Sequence, residues 1–358
     1  MFKTLKDFSV TNKRVLVRCD FNVPLDKKGN ILDDFRIKKT LPTIKYLIEQ
    51  KSKIILMSHL GEPKGEIVQE LKLDKVAERL SEYLNFSVAK ADDCVGPEIE
   101  SKVNLMEQGS VLLLENLRFH KEETATPPAG GLDFAKKLSY LGDIYVNDAF
   151  SVCHRNNASI TLVPKLLPSC AGLLLEKEIE VLDKILGKSP SADSGQAEKP
   201  MLVLIGGTKV ETKSKFIDNI SKVADFVVVS GLIAKEIAEN NIKFKYQEKI
   251  ITPLGDLGAL DINKESVKLF CEKIMEAKTI LWNGPFGKFE DKKYEKGTLA
   301  LAEAIIDSGA FSVVGGGETV EFLNKKCIID KFSHVSTGGG AMLSYLSGEK
   351  LPGIEAIN

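Results

Sequence analysis

Short apolar, β-branched runs alternate with amphipathic stretches along nearly the whole chain, and this alternation limits the possible folds more than any other feature. Strands are predicted at residues 14–18, 53–58, 111–115, 144–147, 201–205, 226–230, 279–282 and 312–314. Most of these runs are apolar throughout, which is typical of strands buried on both faces of a parallel sheet. Helical periodicity lies between them, at residues 40–50, 73–83, 133–141, 214–223, 266–277 and 298–308. The pattern predicts α/β domains with parallel sheets.

The middle of the chain contains the best domain boundary. Residues 176–186 (EKEIEVLDKIL) have an amphipathic helical pattern, and the polar, Ser- and Pro-rich residues 188–200 follow. At the usual domain size, 358 residues suggest two domains. We therefore expect two doubly wound, Rossmann-like domains, residues 1–172 and 188–340, joined by a helix at 173–187. A ligand shared by them would bind in a central cleft at the carboxyl ends of the strands.

The charge balance and the cysteines exclude several protein classes. Lys and Arg number 49 against 50 Asp and Glu, so a nucleic-acid-binding protein, which usually has a basic excess, is not expected. Any anion site must come from the local placement of cations. No apolar run has the length of a membrane helix, and the N-terminus lacks a signal-peptide core. Six scattered cysteines without a C-x-x-C pair favour reduced thiols in the cytoplasm.

Three glycine-rich turns in the second half each follow a predicted strand and precede a predicted helix. They are Gly206-Gly207, residues 315–317 and residues 338–340. Glycine permits close approach of the backbone, and helix N-termini bind anions, so phosphate is the expected ligand. Tight turns without a ligand are the alternative for any single one. Neither G-x-x-x-x-G-K-[ST] nor G-x-G-x-x-G occurs, which weakens the P-loop and dinucleotide hypotheses.

The first half carries cations just after predicted strands or in loops that also contain Asp and Asn. These cations are Arg18, Arg36, His59, Arg118 and Arg155. Each alone fits a surface ion pair, but strand ends of one sheet converge, so together they predict an anion pocket that Asp20 and Asn22 would help to orient. A cationic pocket in one domain and glycine turns in the other form a layout suited to phosphoryl transfer.

At these motifs the chain closely resembles the phosphoglycerate kinase family, nearly from end to end. VLVRCDFNVPLD, DDFRI, MSHLG, LLLENLRF, YVNDAF and HR-x-x-AS match the family's substrate domain. GG-T-K-V-x-x-K, LWNGPFGKFE, GGGET and STGGGAMLSYLSGEKLPG match its nucleotide domain. The resemblance implies transfer between 1,3-bisphosphoglycerate and ADP, giving 3-phosphoglycerate and ATP, with Mg²⁺. It also implies a monomer, domain closure, and a tail at 341–358 that returns to the first domain.

The resemblance assigns roles residue by residue. The implied phosphoglycerate-binding residues are Asp20, Asn22, Arg36, His59, Arg118 and Arg155. The implied catalytic residues are Arg36, Lys209, Lys213, Gly339 and Gly340. The implied nucleotide-binding residues are Gly207, Lys209, Lys213, Gly231, Asn283, Pro285, Glu290, Gly316, Gly317, Glu318 and Thr319. Glu318 is also the implied metal ligand, in place of the family's usual Asp.

Several departures from the family pattern leave a degenerate, non-catalytic phosphate or nucleotide binder as an alternative. Glu62 stands where the family usually has Arg, Thr208 replaces the usual Ala, and Asn157 replaces the usual His. Residues 238–262 are short by roughly one helix–strand unit, which makes the adenine site the hardest part to predict. A two-domain solute-binding protein and a Rossmann dehydrogenase fit less well, since the first needs a signal peptide and the second a glycine fingerprint.

Overall fold

The structure, a computed structural model, describes residues 2–125, 130–188, 197–207 and 211–358. Contacts divide the chain into two compact units. Unit 1 comprises Met1–Ile179 and Lys350–Asn358, and unit 2 comprises Glu180–Glu349. The dividing point falls inside a helix, and the last nine residues of the chain pack with unit 1. Among the described residues, no helix has the length and apolarity needed to cross a membrane.

Unit 1 alternates strands with helices from β1 onward. Its elements are β1 Arg14–Arg18, α1 Phe35–Glu49, β2 Lys53–Met57, α2 Asp74–Leu84, β3 Ala89–Lys90, α3 Pro97–Asn104, β4 Val111–Leu113, α4 Leu132–Ser139, β5 Ile144–Asn147, α5 Ala158–Thr161, β6 Ser169–Ala171 and α6 Leu173–Leu186, which continues into unit 2. The six strands form one sheet of order β3-β4-β2-β1-β5-β6, and every pairing is parallel. Arg18 lies level with Met57 and Asn147, so the central strands end side by side.

Unit 2 repeats this architecture with a second parallel sheet. Its elements are β7 Met201–Ile205, α7 Glu211–Ile220, β8 Phe226–Val229, α8 Gly231–Glu239, β9 Ile250–Ile251, α9 Lys264–Glu276, β10 Thr279–Asn283, α10 Lys296–Asp307, β11 Phe311–Gly315, α11 Gly317–Lys325, β12 His334–Val335 and α12 Gly339–Leu346. The strand order is β12-β11-β10-β7-β8-β9. Ile205, Asn283 and Gly315 share one register level. A last helix, α13 Pro352–Glu355, belongs to unit 1.

The predicted α/β class with two parallel sheets is confirmed, and the cores explain why the pattern was readable. The central strands β7 and β10 are buried at every residue, and β1 and β2 are buried at four of five. Three strands, β3, β6 and β9, were not predicted, and β12 was indicated only as the run before the third glycine turn. Each is two or three residues long, and each lies at or next to a sheet edge where one flank is open.

One local prediction is wrong in a way that affects the site. Arg36 was expected in a loop, but α1 begins at Phe35 and places Arg36 in its first turn. Asp33 and Asp34 immediately precede that turn, and the Asp33 carboxylate accepts a 2.7 Å hydrogen bond from the Phe35 amide. Acidic groups at a helix N-terminus stabilise it, so the helix starts five residues earlier than the apolar periodicity indicates.

Candidate active site

The cation cluster of unit 1, defined as Arg18, Arg36, His59, Arg118 and Arg155, assembles at the carboxyl ends of neighbouring strands. Arg18 is the last residue of β1, and His59 comes two residues after β2. Arg118 lies in a 3-10 helix, Leu117–Phe119, that follows β4, and Arg155 lies after β5. Since β4, β2, β1 and β5 are adjacent in the sheet, the four segments meet at one edge, as the sequence predicted.

Asp20 holds Arg36 in place at this edge. Its buried carboxylate lies 2.8 Å from Arg36 Nη1 and accepts hydrogen bonds from the Asn22 amide and the Ser151 hydroxyl. Burial alone would raise the pKa of Asp20, but Arg36 and these other partners outweigh it and lower the pKa to about 2. Arg36 Nη1 also donates to the Asn22 carbonyl at 3.1 Å. The guanidinium is therefore oriented before any ligand arrives.

Arg18, the most deeply buried arginine of the cluster, forms a fully buried ion pair with Glu123. Arg18 Nη2 lies 3.8 Å from Glu123 Oε1, and neither side chain is exposed. Ser159 lies between them, because its hydroxyl accepts from Arg18 Nε at 2.8 Å and donates to Glu123 Oε1 at 2.7 Å. The Ser159 amide donates to the other carboxylate oxygen at 3.0 Å. With this many hydrogen bonds the buried charges are compensated, and the network fixes Arg18.

The contact between Arg18 and His59 determines the histidine tautomer. Arg18 Nη2 lies 3.2 Å from His59 Nδ1, and a guanidinium can only donate, so Nδ1 accepts and the ring proton sits on Nε2. Burial lowers the pKa of His59 well below its usual value, and the nearby arginines lower it further although Asp20 opposes them. His59 therefore remains a neutral imidazole that offers an Nε2–H donor.

Arg118 is the most buried cation on the β4 side, with only 4% of its side chain exposed. Its Nη1 donates to the Gly61 carbonyl at 2.7 Å and lies 2.6 Å from Glu62 Oε1. Its Nε is buried and has no hydrogen-bond partner. Arg155 is half-exposed and lies 3.8 Å from the same Glu62 oxygen. Asn22 joins this side through its Oδ1, which accepts from the Gly61 amide at 2.8 Å.

Three supporting residues were missed by the sequence analysis. Ser151, Ser159 and Glu123 all hydrogen-bond to members of the cluster or to their partners. Ser159 belongs to HR-x-x-AS and Ser151 follows YVNDAF, so position gave a signal for both. The sequence around Glu123 contains no such signal, because a glutamate in a run of charged residues is usually exposed.

In unit 2 the glycine turns meet backbone to backbone at the ends of β7, β10, β11 and β12. The Gly206 amide donates to the Asn283 carbonyl at 2.8 Å, and the Gly207 amide donates to the Pro285 carbonyl at 2.8 Å. A Cβ on Gly206 would lie 2.5 Å from the Gly284 oxygen, and one on Gly339 would lie 2.5 Å from Gly316 Cα. No side chain fits such spacings, so these glycines are required by the packing of the turns themselves.

Lys213 and Glu318 face the turn at Gly207. A Cβ placed on Gly207 would lie 2.9 Å from Lys213 Nζ and 3.5 Å from Glu318 Oε2. Lys213 is buried and its ammonium donates to the Gly206 carbonyl. The second predicted lysine, Lys209, lies outside the described residues. Mg²⁺ in phosphate sites is commonly held by one carboxylate, with phosphate oxygens and water as the remaining ligands. Glu318 beside the glycine turn therefore fits that ion.

A cavity of about 320 Å³ opens beside these turns in unit 2. Among the predicted nucleotide residues, its lining includes Gly207, Gly231, Pro285, Glu290 and Glu318. The shortened segment also lines it, through Pro253, Leu254, Asp256 and the residues from Ala259 to Ile262. Leu232, Leu254 and Leu260 lie at this cavity and are among the large apolar side chains that remain exposed. An apolar slot with polar groups at one side is typical of a small-molecule site.

The other predicted nucleotide residues that the structure describes are not among the lining residues of the cavity. Thr319 supports the turn after β10, because its hydroxyl accepts a hydrogen bond from the Gly284 amide at 2.8 Å. Asn283 packs beside Gly316, and its buried Nδ2 has no hydrogen-bond partner. Gly317 begins α11 and a Cβ there would meet nothing within 4 Å; Gly339 and Gly340 begin α12. The open space at the start of α11 suits an anion, and the backbone amides at both helix starts are the donors that an anion needs.

Two α/β units, one with clustered cations and one with glycine turns at a cavity, define a phosphotransferase layout, and comparisons with known proteins identify the family. The family model for phosphoglycerate kinase matches residues 5–245 and 234–349. The phosphoglycerate kinase of Dictyoglomus turgidum is 42% identical over 399 aligned positions, covering 99% of this chain and 97% of the relative. That of Aquifex aeolicus is 40% identical, covering 98% of this chain and 96% of the relative.

Solved structures agree with the sequence relatives. The structure of phosphoglycerate kinase from Pyrococcus horikoshii superposes with a TM-score of 0.86 at 32% identity, covering 100% of this chain and 98% of that one. The Coxiella burnetii structure gives 0.80 at 31% identity, with coverages of 100% and 99%. The chain belongs to the phosphoglycerate kinase family, whose members are phosphotransferases with a carboxyl group as acceptor.

Proposed function

We propose that this chain transfers a phosphoryl group reversibly between 1,3-bisphosphoglycerate and ADP, with phosphoglycerate held by unit 1 and the nucleotide by unit 2. The observation that carries the residue assignment is the cation cluster. Cations from four adjacent strand ends and from α1 converge there. Hydrogen bonds orient Arg18 and His59 toward each other, Arg36 toward Asp20, and Arg118 toward the Gly61 carbonyl. Such a group recognises a compact polyanion by fixed donors and not by a diffuse positive field.

In unit 1, each donor has a distinct part in the proposal. His59 offers Nε2–H, and Arg118 offers its buried, unpaired Nε toward an anionic ligand. Arg36 is oriented by Asp20 and remains 30% exposed, so it can approach the phosphoryl group in transfer. Asn22 orients the loop at Gly61, and Arg155 adds a half-exposed positive charge at the rim.

In unit 2, the cavity supplies the nucleoside site and the glycine turns supply the phosphate site. Leu254 and Leu260, from the shortened segment, line the cavity together with Leu232 and provide apolar faces for a flat base. Glu290 is exposed at the lining, where its carboxylate can accept hydrogen bonds from ribose hydroxyls. The amides at the start of α11 and α12 then face the phosphates, together with Lys213 and Lys209.

The proposed chemistry needs charge neutralisation more than proton transfer. A carboxylate acceptor is already ionised, so no general base has to be found among the residues. Arg36, Lys213 and the N-terminus of α12 would stabilise the charge that develops on the phosphoryl group. Glu318 would hold Mg²⁺, which when bound neutralises phosphate charge. Because the donor and acceptor belong to different units, transfer requires a closing motion, for which α6 is the proposed hinge.

Location and assembly complete the proposal. All six cysteines are free thiols, which supports a reducing compartment such as the cytoplasm. The family's substrates are small molecules, and the near-neutral charge of the chain offers no general attraction for nucleic acid. We propose that the protein acts as a monomer.

The test is an enzyme-coupled ATP-formation assay on the purified protein and two arginine variants. Arg36→Ala is expected to reduce kcat by at least about a hundredfold with a much smaller change in KM, because it acts on charge in the transition state. Arg14→Ala is the matched control, since Arg14 lies at the opposite end of β1 and pairs with Asp143 at 2.7 Å. A folded wild-type protein that binds ADP without turnover would instead support the degenerate binder.

A further inference from the structure

Glu62 places a negative charge inside the cation cluster of unit 1. Its Oε1 lies 2.6 Å from Arg118 Nη1 and 3.8 Å from Arg155 Nη1, so one carboxylate oxygen serves two cations. The Glu62 side chain is 69% exposed, whereas Arg118 is almost wholly buried. The exposed Glu62 carboxylate thus pairs with Arg118, which is buried, and lies near the half-exposed Arg155.

The other carboxylates of this region are built in, and Glu62 is not. Glu123 is fully buried and receives hydrogen bonds from the Ser159 amide and hydroxyl. Asp20 is 3% exposed and bonds to Arg36 and Ser151. An incoming anion cannot displace either without breaking a buried network. Glu62 can rotate into water at little cost, because an ion pair with one exposed partner contributes little net stability.

The cations that Glu62 covers also retain unused binding capacity. Arg118 Nε is buried without a partner, which is an unfavourable state that a ligand oxygen would relieve. Arg155 Nη1 is too far from Glu62 for a hydrogen bond at 3.8 Å and gains only a screened attraction. A phosphate dianion presents three oxygens and could satisfy both guanidinium groups, whereas Glu62 cannot.

We propose that Glu62 is an internal competitor for the anion site of unit 1. In the unliganded protein its carboxylate occupies Arg118 and Arg155, and a phosphomonoester dianion displaces it. Glu62 thereby sets the affinity of the site, because every anion that binds must first replace its carboxylate. This inference rests on the proposed function in one respect, the identity of the phosphomonoester as a phosphoglycerate.

The size of the effect follows from charge and distance. After displacement, the Glu62 charge remains within roughly 5 Å of the bound dianion in a water-like environment, which corresponds to about a fivefold weaker affinity at moderate ionic strength. Removing that charge should therefore tighten binding by about fivefold. The gain should appear in KM, because Glu62 is displaced before the transition state forms.

The experiment compares wild type, Glu62→Gln and Glu66→Gln. Glu66 is an exposed carboxylate in the same loop and serves as the matched control. We measure KM for 3-phosphoglycerate in a coupled assay run in the ATP-consuming direction, and Kd for inorganic phosphate by calorimetry, at low and at about 0.5 M salt. The expected result is a fivefold lower KM and Kd for Glu62→Gln at low salt, a smaller ratio at high salt, and no change for Glu66→Gln.

The outcomes separate the two claims. Equal KM and Kd in wild type and Glu62→Gln, with normal turnover, would overturn the role of Glu62 and leave the proposed function intact. Absence of turnover in all three proteins would overturn the proposed function, while the phosphate titration, which needs no catalysis, would still test Glu62. A tightening that is equally large in Glu66→Gln would show a general charge effect and would also overturn the proposal.

Discussion

Replacing Glu123 by Gln tests whether the buried network beneath the cation cluster holds the site together. Glu123 Oε2 accepts from the Ser159 amide, and Oε1 accepts from Asn157 Nδ2 at 3.3 Å and from the Ser159 hydroxyl. If the Gln amide nitrogen took the place of Oε2, it would face the Ser159 backbone donor. If the nitrogen took the place of Oε1, it would face Asn157 and Arg18, which are also donors. Either orientation of Gln therefore loses at least one hydrogen bond.

The larger cost comes from Arg18. Its guanidinium is fully buried, and with Glu123 neutral its charge would lack the partner that lies 3.8 Å away. Removing one member of a buried ion pair typically costs about 3–5 kcal/mol. For a unit of this size, that corresponds to a decrease in Tm of roughly 6–20 °C. The contact between Arg18 and His59 would loosen as well, so KM for phosphoglycerate should rise.

Calorimetric and urea-induced unfolding of the whole chain measure this change, with KM from the coupled assay. Glu122→Gln, at the neighbouring and more exposed position of the same 3-10 helix, is the control and should change stability by less than about 0.5 kcal/mol. The double variant Arg18→Met with Glu123→Met removes both charges and should recover much of the stability but not the KM. A Glu123→Gln protein as stable as the control would refute the reasoning.

Three further predictions use groups away from this ion pair. Burial raises the pKa of Asp148 to about 7, above its unfolded value, so the folded protein binds more protons between pH 4 and 7 and loses stability as pH rises through that window. Asp148→Asn should not show this loss, so in urea unfolding its free energy of unfolding relative to wild type should rise by up to about 4 kcal/mol between pH 4 and 8. A difference that does not change with pH would contradict this prediction. His59 should show no NMR titration midpoint near the ordinary histidine value, because burial lowers its pKa well below that value, and a midpoint there would exclude the neutral ring. Gly317→Ala should leave the unliganded protein as stable or more stable, since a Cβ there meets nothing within 4 Å, yet weaken ADP binding; unchanged affinity in calorimetry would place the phosphates elsewhere.

The sequence predicted the central part of the fold well because buried parallel strands have an unmistakable composition. β7 reads MLVLI and β8 reads FVVV, and both pack between neighbours on each side. The strands β3 and β9 lack such runs, since edge strands of two residues need only a few backbone hydrogen bonds and no continuous apolar face. Their positions follow from the tertiary structure, which the local sequence does not encode.

For the site, positions along the chain were predictable and side-chain partners were not. Residues that follow adjacent parallel strands must converge, so the grouping of Arg18, His59 and Arg118 follows from topology alone. The pairing of Arg118 with Glu62 depends on loop geometry to within an ångström, and so does the burial of Glu123. Likewise, the shortened segment gave no sign that Leu254 and Leu260 would line the cavity. Such contacts depend on packing between loops that have no regular period.

In the proposed assignment the two units bind anions by different physical means, and this difference predicts which substitutions would weaken each site. Unit 1 uses side-chain cations whose charges are matched by Asp20, Glu123 and Glu62, so one exposed carboxylate can retune its affinity without disturbing the fold. Unit 2 presents mainly backbone amides at glycine turns, which are neutral donors fixed by packing as close as that of Gly339 on Gly316. Charge substitutions and salt should therefore alter phosphoglycerate binding more than nucleotide binding, whereas steric changes at the glycines should do the reverse. A departure such as Glu62 can be tolerated in unit 1 because its exposed side chain lies outside the buried networks of Asp20 and Glu123. The glycine turns of unit 2 tolerate less change, because a side chain added at their closely packed glycines would push apart the ends of the strands.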